Sequence, residues 1–211
     1  MSTKGIRRKK SSLSEVKVAV IGAPGVGKSA LSVRFLTRRY IGEYDHQSET
    51  RYKHEVLIDT EPVLFEVLDT CPKNEEDLPS SEVLNWADGV LLVYSVIDRH
   101  SFAFVKKAGL MLANCDMPVY LLANKCDMVH LRQVSYDEGS ILARNFEWGF
   151  SEVTAAEQVG PVAVAFQDLC KSVLVSRRKS KQSLLERMLG AKSNSVKLYV
   201  RGKSDSVLPK D

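Results

Sequence analysis

The chain predicts a mainly parallel α/β sheet with helices on both faces, and three observations carry that fold class. Short β-branched runs alternate with helical patterns from Glu15 to about Val175. Two of the runs, "GVLLVYSV" and "PVYLLAN", are apolar without a period-two pattern, as strands covered on both faces are. The glycine-rich stretch "GAPGVGKS" falls between the first strand and the first helix, at the strand end where ligands of such sheets sit. Strand–helix alternation packs this way because each crossover helix must bury its apolar stripe against the sheet.

Taken in order, "VKVAVIG" reads as a buried strand and "KSALSVRFLT" as the helix after it. "RYKHEVLID" and "EPVLFEVLD" read as a hairpin whose turn falls near Thr60-Glu61-Pro62. "GVLLVYSV" and "PVYLLAN" are the next strands, and "SFAFVKKAGLMLA" and "SYDEGSILARNF" are helices around them. In "PVAVAFQDLCKSVLV", Val162, Phe166, Leu169, Cys170 and Val173 fall on one helical face, a stripe of core packing.

Length and composition fit this reading. A chain of 211 residues is long enough for one domain with a sizeable core plus tails. Its 44% apolar and 27% charged residues are those of an ordinary globular protein. No apolar run approaches the roughly 20 residues of a membrane span, and no secretory leader is expected from the polar, basic N-terminus. Cys71, Cys115, Cys126 and Cys170 form no C-x-x-C pair and the histidines lie far apart, so reduced cytoplasmic thiols are expected rather than zinc or disulfides.

The net charge of +4 hides an asymmetry. Residues 1–14 carry Lys4, Arg7, Arg8, Lys9 and Lys10 with no acid, and the segment from Ser176 onward carries ten basic and three acidic side chains. The body between them is therefore acidic. Three parts are expected: a basic, disordered arm over residues 1–14, a domain over 15–176, and a basic, mostly disordered tail over 177–211. The tail holds one apolar cluster, Leu184, Leu185, Met188 and Leu189. An acidic body argues against a nucleic-acid-binding core.

"GAPGVGKS", residues 22–29, fits G-x-x-x-x-G-K-[ST]. Glycines let such a loop curl so that backbone N–H groups point at phosphates, and the helix that follows adds its dipole. Lys28 would reach the terminal phosphates and the Ser29 hydroxyl would ligate Mg²⁺. The base is read from "ANKCD", in which Asp127 follows Asn124 and Lys125 at a strand end. A carboxylate there accepts from the N1–H and 2-amino groups of guanine, whereas adenine would leave it unpaired. Asp69, closing "VLFEVLD", is a carboxylate that a buried strand delivers to a loop.

With these motifs, and with "RFLTRRYIGEY" and "WADGVLLVYSV", residues 15–176 resemble the Ras-like small GTPases, in the flavour of the branch of the Ras-related, estrogen-regulated growth inhibitor. The resemblance implies a P-loop G domain with a six-stranded sheet, GTP/GDP and Mg²⁺ as ligands, and effector or regulator proteins as partners in signal transduction. It implies that the phosphates lie against Gly22, Ala23, Pro24, Gly25, Val26, Gly27, Lys28, Ser29 and Ala30. Tyr40 would stack on guanine, the Lys125 stem would lie along its other face, and "EVTAA" would supply Thr154 and Ala155, with the Ala155 N–H near guanine O6. Asp69 would hold Mg²⁺ through water.

Both loops that carry hydrolysis in this family are altered. The Mg²⁺-ligating threonine aligns with Gln47, with Ser48 as the neighbouring substitute. Pro72 stands where a glycine N–H would contact the γ-phosphate, and proline has no N–H. Lys73 stands at the water-orienting position and has donors only, so no catalytic residue is assigned. Pro24 would crowd an arginine brought by an activating partner. A switch with slow or impaired hydrolysis is therefore expected. The alternative is a pseudo-GTPase scaffold that keeps the nucleotide as a structural cofactor; an ATP-using P-loop kinase is disfavoured by Asp127. The chain ends "SVLPKD" and its last cysteine is Cys170, so no prenyl anchor is expected. A cytoplasmic monomer, with anionic lipid contact through the basic tail, completes the expectation.

Overall fold

A computed structural model describes residues 13–39, 49–74, 77–157 and 159–193, with side chains as far as Glu186. The elements run β1 (Ser14–Ile21), α1 (Lys28–Thr37), β2 (Thr50–Ile58), β3 (Glu61–Asp69), α2 (Ser81–Trp86), β4 (Gly89–Ser95), α3 (Arg99–Leu112), β5 (Val119–Asn124), a 3₁₀ turn (Val129–Leu131), α4 (Tyr136–Asn145), β6 (Gly149–Glu152) and α5 (Val159–Ser193). One six-stranded sheet has the order β2-β3-β1-β4-β5-β6. Only the β2–β3 pair is antiparallel; β1 pairs in parallel with β3 and β4, and β5 pairs in parallel with β4 and β6. The expected mainly parallel sheet is present.

β4 and β5 are buried along their whole length, which is why their sequences are continuous apolar runs. β2 instead alternates half-buried with exposed residues, as a sheet edge does. The β2–β3 turn is tighter than the sequence suggests. Ile58 pairs with Glu61, and Asp59 and Thr60, at φ 48° and 73°, make the two-residue turn. Two positive φ values match the twist of the flanking strands, so Glu61 and Pro62 belong to β3 rather than to the turn.

The apolar face of α5 is buried as its spacing suggests: Val162, Phe166, Leu169, Cys170 and Val173 are all at most 2% exposed. Phe166 stacks on Phe35 of α1 with centroids 4.2 Å apart, and Phe35 meets Phe65 of β3 edge-on at 5.3 Å. One compact unit ends at Leu174 and a second starts at Val175. The second departs from the expected tail in that residues 177–193 are helical. Lys, Arg, Gln, Leu and Glu dominate that stretch, and no proline interrupts it. By length and composition, α5 over Val159–Glu186 could cross a membrane, contrary to the sequence reading. Asp168 and Lys171 are the only charges between Val159 and Ser176, and the apolar stripe there is already used by the core.

Sheet order reverses at β1: the chain runs to β3 on one side of it and then crosses to β4 on the other, so a crevice opens beyond its carboxyl end. The caps of the helices divide on the same basis. Ser80, Asp98 and Ser135 cap α2, α3 and α4 through their side chains, whereas α1 begins after Gly27, which has no side chain to offer.

At α4 the cap doubles as a link to α3. Ser135 Oγ accepts from the Glu138 N–H, Glu138 Oε2 accepts from the Ser135 N–H, and Arg99 donates to Glu138 Oε1. The Arg99 contact and the Ser135 amide lower the Glu138 pKa from 4.5 to about 2. A carboxyl lowered on folding stabilises above the unfolded pKa, and that contribution disappears as pH falls through the folded one. Glu138→Gln should therefore melt below the wild type near neutral pH, with the gap closing between pH 4.5 and about 2. Thermal melts across that range check it; a gap independent of pH would contradict it.

Candidate functional site

The loop after β1 is shaped by two glycines in the left-handed region and a third pressed against the sheet. Gly25 and Gly27 have φ of 74° and 96°, where L side chains are strained. A Cβ on Gly22 would lie 2.3 Å from the Val93 carbonyl oxygen of β4, so only glycine fits. Ala23 and Val26 point into the core, while Pro24 and Gly25 are exposed.

Lys28, the first residue of α1, folds back under this loop. Its Nζ donates to the carbonyls of Gly22 and Ala23, both at 2.9 Å. Burial pushes its pKa down to about 8, and the charge of Asp69, then that of Cys71, pulls it back up. Lys28 thus stays a cation near neutral pH. Asp69 is buried at the end of β3, paired with Val20 of β1 and Thr50 of β2, and Ser29 is half-buried on the first turn of α1.

After Asp69 the chain turns outward. Thr70 donates its hydroxyl to Val20 O at 2.7 Å, and Cys71 and Pro72 are half-buried. They line a cavity of about 140 Å³ together with Gly22, Leu78 and Phe104. Lys73 is exposed, and its amide N–H donates to Asp77 Oδ2 at 3.1 Å.

On the other side of the phosphate-type loop, β5 ends in Asn124, buried to 2% exposure. Its Nδ2 donates to Val26 O at 2.8 Å, and its Oδ1 accepts from the Ala155 N–H at 3.2 Å. Lys125, in the left-handed region at φ 65°, donates from Nζ to Gly25 O at 2.8 Å. Thr154 Oγ1 accepts from the Ala156 N–H at 3.2 Å.

These segments enclose a second cavity, of about 330 Å³. Gly25, Gly27, Lys28, Ser29 and Ala30 line one side, and Asn124, Lys125, Asp127, Thr154 and Ala155 the other. Ten of the expected site residues thus meet at one cavity. Gly22, Ala23, Pro24 and Val26 belong to the loop but not to this wall, and Asp69 is outside it while its charge acts on Lys28. Tyr40, Gln47 and Ser48 lie outside the described residues.

The Ala155 N–H, expected to face guanine O6, is turned to Asn124 Oδ1. Ile97, Met128 and Ala156 also line the cavity, and the sequence marked them only by adjacency to the motifs. Arg34 was missed altogether: this α1 residue donates from Nη2 to Glu157 O at 2.8 Å. A single arginine in an amphipathic helix carries no signal of a contact 123 residues away.

Replacing Asn124 removes at once the donor to Val26 O and the acceptor of the Ala155 N–H. Each buried group stranded this way costs ~1–3 kcal/mol. Asn124→Ala should lower unfolding free energy by at least that amount in denaturant titrations without ligand, and a loss below about 0.5 kcal/mol would contradict the bracing role.

The comparisons agree with this geometry. The Ras family model matches residues 17–175. The Ras-related and estrogen-regulated growth inhibitor of Homo sapiens is 41% identical over 164 residues, covering 76% of this chain and 82% of that protein. Ras-like protein family member 11B of Danio rerio is 41% identical over 165 residues, covering 74% and 68%. The Ras-related and estrogen-regulated growth inhibitor-like protein of Bos taurus is 35% identical over 205 residues, covering 87% of this chain and all of its own. With a sheet of this order, a phosphate-type loop at its crevice and a family match over nearly the whole domain, the chain belongs to the Ras family and is by class a small GTP-binding protein.

Proposed function

We propose that this chain is a guanine-nucleotide-binding switch of the Ras type whose intrinsic GTP hydrolysis is slow or impaired. The observation that carries the binding half is the Asn124 side chain, which joins the loop of residues 22–29 to the loop of residues 154–157 around one cavity. Phosphates would take the place of the two carbonyls on Lys28 Nζ and meet the α1 N-terminus, whose amides no side chain caps. Asp127 would accept from the guanine N1–H and 2-amino groups, with the Lys125 stem along the ring and Thr154 and Ala155 closing the wall. Tyr40 would cover the other ring face.

Mg²⁺ fits the donors available. A half-buried serine hydroxyl on Ser29 and a buried carboxylate on Asp69 are hard oxygen ligands, few enough that phosphate and water would complete an octahedron. Among the described residues no cluster of three histidine, cysteine or acidic side chains competes for that role. When bound, the ion neutralises charge on the terminal phosphates. Gln47 or Ser48 would have to replace the usual threonine ligand.

Hydrolysis lacks its parts. Pro72 has no N–H for the γ-phosphate. Lys73 has no acceptor to orient a water, and it is exposed, with its own amide engaged by Asp77. Those same two residues favour a second reading, a pseudo-GTPase scaffold that holds GTP or GDP permanently and acts through effector or regulator proteins. In either case the body would work as a cytoplasmic monomer. The helical segment from Val175 would contact anionic lipid through Arg177, Arg178, Lys179 and Lys181 beside the exposed Leu184 and Leu185.

The test of the binding half is the nucleotide retained by the purified protein, identified by chromatography, followed by competition between GTP and ATP. GDP or GTP should co-purify, and a large excess of ATP should fail to displace it. Preferential ATP retention would overturn the guanine assignment and revive a P-loop kinase.

A further inference from the structure

The loop of residues 154–157 supplies one wall of the nucleotide cavity, yet it contains no helix or strand of its own. Its conformation depends on what grips it. At its upstream end the sheet does so: the Val153 N–H donates to Ala123 O at 2.8 Å, and the Cys126 N–H donates to Val153 O at 3.2 Å. Inside the loop the amide groups are held by Asn124 and by Thr154. The carbonyls of Ala156 and Glu157 are held by Arg34, whose Nη2 lies 3.4 Å from the first and 2.8 Å from the second.

Arg34 is an unusual residue to find in this place. It is only 8% exposed, and no carboxylate is recorded as its ion-pair partner among the described residues. Its Nε is buried without a hydrogen-bond partner among them. Taking a guanidinium out of water with incomplete pairing is costly, and an apolar side chain of similar size would pack there more favourably. Its two carbonyl contacts are what the arginine contributes that a methionine would not. Arg34 also stands six residues after Lys28 on the same helix, about 9 Å along its axis. One rigid element therefore presents the phosphate lysine at its start and the clamp on the base wall further along.

We propose that Arg34 is the positioning residue for the base wall of the pocket, and that it sets the residence time of bound nucleotide. It touches no nucleotide itself. It acts through Ala155 and Ala156, whose positions relative to Asn124 and Asp127 decide how closely guanine is enclosed. This inference rests on the guanine-binding reading above. It adds that α1 carries both the phosphate lysine and the grip on the base wall, with Arg34 acting on the wall alone.

The test uses the full chain loaded with fluorescent GDP and Mg²⁺, with wild type, Arg34→Met and Arg34→Lys compared. Losing hydrogen bonds from a charged donor is worth ~1.5–3 kcal/mol, so Arg34→Met should release GDP about tenfold faster or more. Arg34→Lys keeps a cationic donor and should fall between the two, which preserves the test should the methionine variant fold poorly. Two further readouts separate positioning from general destabilisation. The ³¹P resonances of bound GDP should keep their wild-type shifts in both variants, because the loop of residues 22–29 does not depend on Arg34. The ratio of GDP to ADP affinity should fall, because adenine gains nothing from the wall that is lost. Release within twofold of wild type would overturn the inference while leaving guanine binding intact. Displaced ³¹P shifts, or an equal loss for GDP and ADP, would also overturn it, since both mark damage spread over the whole pocket. A wild type that holds no guanine nucleotide would overturn the binding reading itself and the inference with it.

Discussion

Two hydrogen bonds from the buried amide of Asn124 connect pieces of chain that the sequence keeps far apart. Val26 O lies 98 residues before it and the Ala155 N–H 31 residues after it. The amide suits this task because it offers a donor on one side and an acceptor on the other, and a carboxylate or an ammonium offers only one of these. Much of the local geometry follows. Gly27 sits so close that a Cβ there would come within 2.4 Å of Asn124 Nδ2, so glycine is required sterically as well as for its φ of 96°. Lys125, next in the chain, takes the left-handed conformation and returns to the same loop at Gly25 O. The cavity wall is thus assembled from segments that follow β1, β4, β5 and β6, all at the carboxyl edge of the sheet.

Beneath that wall lies a buried cation. Lys28 reaches a burial that would favour its neutral form, and the carboxylate of Asp69 opposes that shift. With two donor contacts to Gly22 O and Ala23 O, the ammonium is held under the loop before any phosphate arrives. Such an arrangement selects for anions by charge and by aligned amides. The segment just past Asp69 follows a different logic, because Pro72 removes a donor and Lys73 turns outward to solvent. Binding and hydrolysis would draw on different residues here, so the impairment proposed for one leaves the other intact.

Much of this was legible in the sequence, for identifiable reasons. The apolar runs of β4 and β5 gave strands because both faces are covered, and the α5 stripe gave the core because five residues share one helical face. The motif residues gave the cavity because their chemistry is local: glycines for φ, a lysine for charge, Asp127 for the base. Long-range backbone contacts were not legible. Arg34 reads as one more polar helix residue until its carbonyl partners are seen, and the Ala155 N–H could not be assigned to Asn124 from spacing. Basic composition suggested a mostly disordered tail over residues 177–211 with at most a short helix at its apolar cluster, but lysine, arginine and glutamine are also good helix formers, and the chain is helical over 177–193. The hairpin turn lies about two residues earlier than Thr60-Glu61-Pro62, because a proline that suits a turn here sits second in β3, opposite Leu57.

Pro72 and Lys73 carry the proposal that nucleotide binding has outlived hydrolysis. Single-turnover phosphate release from GTP-loaded protein with Mg²⁺ tests it most directly, with Lys28→Ala as background and the double substitution Pro72→Gly, Lys73→Gln beside the wild type. Release from the wild type no faster than background, with a clear gain in the double variant, is the expected result. Release from the wild type clearly above background would contradict it, and would place the water-orienting role on Lys73 or on another residue.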